Sequence, residues 1–194
     1  SIPYHKPPCR ALEKFVSPSA LHVKGPVLNH WSIGRRMPTG ELAANQETAH
    51  VGDCLHQIYC GIEDNDSDSC ISHIVNSYGL GSFFTDVKPI RQAWRNLCDW
   101  LEENYDCADG DAEHELPFMH INNGQVFTGS IDLVWHTDDG AVLVDFKTCP
   151  LGDNHILNDA SDHYAGWYAG QLEAYAAALE AAGETVLARL VYYP

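Results

Sequence analysis

Two aspartates and a lysine stand close together in the second half of the chain, on segments that are otherwise apolar. Asp132 follows Gly129-Ser-Ile, twelve residues separate it from Asp145, and Lys147 comes two positions later. Burying a carboxylate in a sheet costs several kcal/mol unless its charge is compensated, and a divalent cation can compensate two at once. A lysine on the same strand face can hold a water for attack or stabilise an anionic transition state.

Adjacent strands are expected to carry these residues. Residues 125–136 alternate apolar and polar side chains, as a half-buried strand does, and residues 141–148 begin with a continuous apolar run. An Asp-Asp-Gly turn at 138–140 predicts a hairpin between them. Residues 115–122 predict a further strand, which an Asn-Asn-Gly turn at 122–124 joins to the next one.

The remaining periodicity predicts helices before and after this meander. Helices are expected at 41–60, Ile71–Tyr78, Val87–Tyr105 and Asp162–Ala182, and a final strand at Val186–Tyr193. This order suits an α/β domain in which helices flank a mixed central β-sheet and the last strand returns through the last helix.

Four motifs in this order resemble the RecB-like branch of the PD-(D/E)xK nuclease superfamily. They are Gly52-Asp-Cys-Leu-His56, Gly129-Ser-Ile-Asp132, Asp145-Phe-Lys147 and Gln171-Leu-Glu-Ala-Tyr175. The resemblance runs from about Ser17 to the C-terminus and is nearest to the C-terminal nuclease domain of AddA/RecB-type helicase-nucleases. It implies a restriction-endonuclease-like fold.

The resemblance also implies roles for particular residues. By it, His56, Asp132, Asp145 and the backbone carbonyl of Phe146 bind Mg²⁺ or Mn²⁺, hard cations that prefer oxygen ligands. Lys147 is assigned the positioning of the nucleophilic water.

Three further residues have roles that stay open. Gln171 and Tyr175 are four apart and share one helix face. The resemblance implies that this face lines the path of the nucleic acid strand. The Gln171 amide and the Tyr175 phenol would then form hydrogen bonds to a phosphate or to a catalytic group. The alternative has Tyr175 in the core and Gln171 at the surface. Glu115 resembles an acid that relatives carry near the site, either at the metal or behind its ligands.

Charge is distributed unevenly along a chain whose net charge is −16. Residues 1–40 hold six Lys/Arg and one acid and are rich in Pro and Gly, so a basic N-terminal arm is expected there. Residues 41–194 form a single predicted domain that is strongly acidic. Because phosphate contacts normally supply most nucleic-acid affinity, the arm either guides a strand across the site or docks on the acidic body.

The chain contains no apolar run of about eighteen residues and no signal-peptide pattern, which predicts a cytoplasmic protein that does not enter membranes. Its seven cysteines are odd in number and widely spaced, so reduced thiols are expected. No cysteine follows Cys149, which argues against the iron-sulfur cluster of some relatives. Cys54 and Cys60 are interpreted as a chance pair rather than as zinc ligands.

These observations predict a Mg²⁺-dependent deoxyribonuclease, the exonuclease part of a helicase-nuclease in double-strand-break repair and recombination. Its partners would be single-stranded DNA or duplex ends and a helicase domain or subunit, since no Gly-x-x-x-x-Gly-Lys-Ser/Thr loop is present. The chain's termini favour an excised C-terminal domain. The alternatives are a phage-type standalone exonuclease and a non-catalytic DNA or protein docking module. Intact Asp132, Asp145 and Lys147 argue against the docking module.

Overall fold

The computed structural model describes residues 14–16, 30–31, 45–62, 67–105, 111–148 and 168–192. Its helices are α1 (Asn45–Tyr59), α2 (Asp68–Ser77), α3 (Lys88–Tyr105) and α4 (Ala169–Ala182). Its strands are β1 (Lys14–Val16), β2 (His30–Trp31), β3 (Asp111–Asn122), β4 (Gln125–Thr137), β5 (Gly140–Phe146) and β6 (Val186–Tyr192).

The described strands form one mixed sheet. Its order is β1, β4, β5, β6, β2. β3 lies outside this path and pairs with β4. β3, β4 and β5 form the predicted antiparallel meander. After the α4 crossover, β6 runs parallel to β5, and β1 and β2 add parallel pairs to β4 and β6. β4 and β5 therefore lie in the middle of the sheet.

Helices cover both faces of the sheet. Side chains of α1, α2 and α3 pack on one face around Leu133 and Val144, in the larger of two cores. On the other face, Leu172 and Ala176 of α4 pack against Leu143. This is the predicted α/β architecture, in which helices flank a mixed sheet.

The helices follow from their sequence patterns. In α3, apolar residues recur every three or four positions and form one buried stripe, with Ile90, Trp94, Leu97 and Leu101 among its members. α4 ends at Gly183, whose φ of 99° closes the helix in the left-handed conformation that glycine adopts without strain.

Within the described residues, three element boundaries differ from the sequence expectation by two or more residues. α2 and β3 begin three and four residues earlier than predicted, at Asp68 and Asp111. β3 extends because residues 111–114 pair with 133–136 of β4, and backbone pairing outweighs the polar character of this segment. β5 ends at Phe146, although the Lys147 N–H still donates to the Tyr192 carbonyl at 2.9 Å.

Some expectations concern segments outside the described residues. These are the predicted start of the last helix at Asp162 and most of the N-terminal arm with its basic side chains. Within the arm, β1 and β2 contribute five residues to the sheet. No described helix combines the length and the apolar character needed to cross a membrane.

Candidate active site

Asp132 and Asp145 lie side by side in the middle of the sheet. The β4–β5 ladder pairs Leu133 with Val144, so the two aspartates occupy the next neighbouring positions. Both are buried, with relative exposures of 7% and 0%. Asp132 Oδ2 accepts the backbone N–H of Phe146 at 2.8 Å, one of the partners a buried carboxylate requires.

Each oxygen of the Asp145 carboxylate faces a donor group. Gln171 Nε2 donates to Oδ1 at 2.9 Å, and Lys147 Nζ lies 2.6 Å from Oδ2. Burial raises the pKa of Asp145 to about 7; the positive charge of Lys147 opposes this rise, and the negative charge of Asp132 adds to it. Burial next to a second carboxylate thus disfavours the ionised form of Asp145.

Lys147 is held at the end of β5 with its ammonium directed at Asp145. Burial by itself would lower the pKa of Lys147, but the negative charges of Asp145 and Asp132 outweigh burial and raise it. Its Nζ also lies over the ring of Tyr168, 4.7 Å from the ring centre. Lys147 is therefore a fixed positive charge at neutral pH.

His56 reaches the aspartates from α1. Its Nε2 lies 3.0 Å from Asp132 Oδ1, and this hydrogen bond raises the pKa of His56. Gly52, one turn earlier, allows α1 to come this close, because a Cβ there would lie 2.8 Å from Thr148 Oγ1. The glycine four residues before the histidine thus leaves room for Thr148, where the helix packs against the end of β5.

Gln171 and Tyr175 approach the aspartates from α4, on the opposite face. Gln171 Nε2 donates to Asp145 and also to the Tyr175 hydroxyl. Both side chains are buried, with relative exposures of 6% and 4%, and the Tyr175 ring packs edge-on against Phe118. Tyr175 thus belongs to the core, as the alternative interpretation had it, but Gln171 is buried at the site rather than lying at the surface.

A second group of side chains lies behind His56. Glu115 Oε1 is 3.4 Å from His56 Nδ1 and accepts the Cys60 thiol at 3.1 Å, and Oε2 accepts the Ser130 hydroxyl. Sequence reasoning noted Glu115 but missed Ser130 and the role of Cys60 here. The available signal was that Cys60 follows His56 by four residues, which brings it next to His56 one turn earlier.

A cavity of about 390 Å³ opens beside these groups. His56, Phe146, Lys147, Thr148 and Tyr168 contribute to its wall. Its wall thus includes a lysine and a histidine.

A family model described as the PD-(D/E)XK nuclease superfamily matches residues 34–194. The chain belongs to this superfamily. No curated protein shows significant similarity to the chain. The match covers every predicted site residue, and the restriction-endonuclease-like fold predicted from the sequence is confirmed. As a member of the superfamily, the protein is a nuclease, and its substrate class is DNA.

PD-(D/E)XK nucleases generally use a divalent metal such as Mg²⁺ or Mn²⁺, and the side chains present fit one. The two buried carboxylates supply the oxygen donors that these cations prefer, and a bound cation would stabilise the ionised carboxylates that burial disfavours. His56 adds a nitrogen donor beside Asp132. His56 contacts Asp132, Asp132 neighbours Asp145 across the two strands, and Phe146 follows Asp145 in the chain; their role as metal ligands stays a prediction.

Proposed function

We propose that this protein is a Mg²⁺-dependent deoxyribonuclease of the RecB-like type that acts as an exonuclease. The observation that carries the proposal is the buried Asp145 carboxylate, which contacts Lys147 on one oxygen and Gln171 on the other, beside Asp132 and His56. Such an arrangement is costly for folding, and it supplies the charge and donors that phosphodiester hydrolysis requires.

The metal would be held by His56, Asp132, Asp145 and the backbone carbonyl of Phe146. When bound, a divalent cation supplies a Lewis acid for the phosphate and lowers the pKa of an attacking water. The hydrogen bond from the Phe146 N–H to Asp132 keeps that carboxylate oriented.

Lys147 is the proposed positioning group for the attacking water. Lys147 borders the cavity, and its ammonium lies 2.6 Å from Asp145 Oδ2, which directs it toward the site. From there, one N–H can orient a water while the positive charge stabilises the anionic transition state.

Gln171 and Tyr175 act on the site through Asp145. The Gln171 amide donates to Asp145, and its own orientation is set by the Tyr175 hydroxyl. This chain of contacts fixes one rotamer of the carboxylate, which is how groups behind a metal ligand tune a centre.

The RecB-like assignment rests on the two helices around the central strands. The Gly52/His56 and Gln171/Tyr175 pairs lie at the motif positions of that branch, and both histidine and glutamine contact the aspartates. A role in double-strand-break repair and recombination, with a helicase domain or subunit that delivers DNA, accords with the net charge of −16, which leaves the chain little affinity of its own for phosphates. A phage-type standalone exonuclease is the second candidate.

A cytoplasmic location forms part of this proposal. Among the described cysteines, Cys54, Cys60 and Cys70 are free thiols. Thiols stay reduced in the cytosol, which suits this pattern.

The test is digestion of end-labelled single-stranded and duplex DNA with Mg²⁺ or Mn²⁺, with a covalently closed circle as the substrate lacking ends. We expect the wild type to degrade the linear substrates and to spare the circle, and Lys147→Ala to lower the rate by about 10²–10³-fold. Lys88→Ala, which removes an exposed lysine of α3, is the matched control and should keep the wild-type rate.

Each outcome separates the candidates. Equal rates for Lys147→Ala and Lys88→Ala would remove Lys147 from the mechanism, and cutting of the circle would replace the exonuclease with an endonuclease. If DNA stays intact under all conditions, either a nuclease domain that depends on its helicase or the non-catalytic docking module is favoured. Size-exclusion chromatography with light scattering then distinguishes a ring-forming phage-type enzyme from a monomeric domain.

A further inference from the structure

Three side chains of different chemistry converge on the outer side of His56, away from the aspartates. Cys60 Sγ lies 3.1 Å from Glu115 Oε1 and 3.7 Å from His56 Nδ1, and the carboxylate oxygen and the imidazole nitrogen are 3.4 Å apart. These three atoms form a compact triangle of sulfur, nitrogen and oxygen. In the described part of the chain, they are the one group of such donors outside the aspartate pair that is arranged in this way.

The size of this triangle matches a tetrahedral zinc centre. With zinc bonds of about 2.0 Å to oxygen and nitrogen and about 2.3 Å to sulfur, the donors of a tetrahedral site lie about 3.3–3.6 Å apart. The observed separations of 3.1, 3.4 and 3.7 Å bracket that range. Cys60 Sγ also lies 4.0 Å from His56 Nε2, so the sulfur is placed over the imidazole ring, and Cys60 must change rotamer to share a cation with Nδ1 and Glu115.

The fold brings the third donor to the helix by a local irregularity in β3. His56 lies in the last turn of α1, Cys60 directly follows that helix with its N–H donating to the His56 carbonyl at 2.9 Å, and Glu115 comes from β3. The β3–β4 ladder omits Glu115, which has a φ of 50°, a left-handed conformation that is strained for a glutamate. Ser130 donates to the other carboxylate oxygen and holds Glu115 in this orientation. Backbone strain beside a convergent donor set is typical of a functional position.

We propose that His56 Nδ1, Cys60 Sγ and Glu115 Oε1 form a zinc site, distinct from the magnesium centre at the aspartates. A thiolate and an imidazole nitrogen favour Zn²⁺ over Mg²⁺, which prefers all-oxygen ligands. On binding, the Cys60 thiol releases its proton to solvent, and the sulfur, nitrogen and oxygen lone pairs coordinate the ion. A water completes the tetrahedron.

Zinc at this site would inhibit the nuclease, an effect that rests on the proposed function. A neutral imidazole carries one N–H, so zinc on Nδ1 leaves the proton on Nε2. That N–H then donates to Asp132 Oδ1 at 3.0 Å, as metal-bound histidines commonly do to a carboxylate. With Nε2 protonated, His56 has no lone pair for Mg²⁺, so the two metals compete for one side chain.

Cobalt substitution tests the site without reference to activity. Co²⁺ bound to a thiolate gives a sulfur-to-metal charge-transfer absorption, which oxygen and nitrogen ligands alone do not give. We expect this band in the wild type, its loss in Cys60→Ser, and its retention in Cys70→Ser, which removes an exposed thiol outside the cluster. Zn²⁺ titrated into the cobalt protein should abolish the band.

A second variant guards against loss of folding in Cys60→Ser. Glu115→Gln keeps the thiol and should retain the band, with a Co²⁺ affinity at least about tenfold weaker because a ligand charge is lost. Thermal unfolding of each variant is recorded in parallel. A wild type without the charge-transfer band, or a band that persists in folded Cys60→Ser, would overturn the zinc site and leave the cluster as hydrogen bonds only.

Zinc inhibition is then measured with Mg²⁺ in excess, and each variant is compared with its own rate without zinc. In Cys60→Ser, the zinc concentration that halves the rate should rise at least about tenfold, and in Cys70→Ser it should stay at the wild-type value. Equal zinc sensitivity of both variants would overturn the inhibitory role, because zinc would then act at the aspartates. Absence of nuclease activity would defeat the proposed function, whereas the cobalt band reports on the zinc site independently.

Discussion

The two helices that approach Asp132 and Asp145 do so with opposite chemistry. On the α4 side, Gln171 and Tyr175 are neutral and buried, with 6% and 4% relative exposure. On the α1 side, the side chains of His56 and Glu115 are titratable and are exposed to 37% and 39%. The α4 side can therefore only hold a carboxylate in place, whereas the α1 side can exchange protons and ions with solvent.

The α4 side of the site therefore holds Asp145 in place, and the α1 side is open to protons and ions from solvent. Gln171 fixes Asp145 from the dry side of the sheet, and its hydrogen bonds gain strength from the low dielectric there. His56 reaches Asp132 from the cavity side, where a metal and a phosphate would enter. Substitutions on the two sides should consequently have different effects. Those on the α1 side should mainly weaken metal binding, and those on the α4 side should mainly lower kcat.

The largest loss of metal binding and activity is expected for a substitution of Asp145, which lies between the two helices. Asp145→Asn keeps the shape of the side chain but removes its charge, so Mn²⁺ binding measured by calorimetry and Mg²⁺-dependent cleavage should both be lost. Asp139→Asn, in the exposed turn between β4 and β5, is the matched control and should leave both unchanged. Wild-type Mn²⁺ affinity in Asp145→Asn would show that the metal site lies elsewhere.

An intermediate effect should separate the α1 side from the α4 side. His56→Ala should weaken Mn²⁺ binding at least about tenfold, because it deletes a proposed ligand, while Gln171→Ala should lower kcat about 10–100-fold with a smaller change in metal affinity. Calorimetry and steady-state kinetics on both variants measure the two quantities. If both variants lower metal affinity equally, the contrast between the sides does not hold.

The smallest effect is expected at the far end of the α4 contacts. Tyr175→Phe preserves the ring that packs against Phe118 and removes only the hydroxyl that accepts from Gln171. We expect kcat to fall by less than about tenfold and the free energy of unfolding to change by about 1 kcal/mol. Cleavage assays and chemical denaturation measure these. A loss as large as that of Gln171→Ala would mean that Tyr175 contacts the substrate itself.

Much of the architecture could be predicted from the order of the elements. The meander, the helices before it and the parallel return through α4 followed from periodicity and turn signals, because each is a local pattern. The start of β3 was misplaced by four residues, since Asp111 and its neighbours look like a loop in the sequence. Only pairing with β4, which is not local, makes them a strand.

The sequence by itself determined which residue types are available for chemistry and in what order. Asp132, Asp145 and Lys147 lie on adjacent strands joined by a short turn, so local geometry already brings them together. The four-residue spacing likewise brings Cys60, which directly follows α1, next to His56 one turn earlier.

Only the tertiary structure decided what those faces meet. In the sequence, Cys60 stands near Cys54, a spacing that does not predict a zinc site. Folding instead buries Cys54 in the core and brings Cys60 to Glu115, fifty-five residues away. The physical reason is that the register of β3 on β4, together with the left-handed backbone at Glu115, directs a strand carboxylate toward a helix, and no local pattern encodes that meeting.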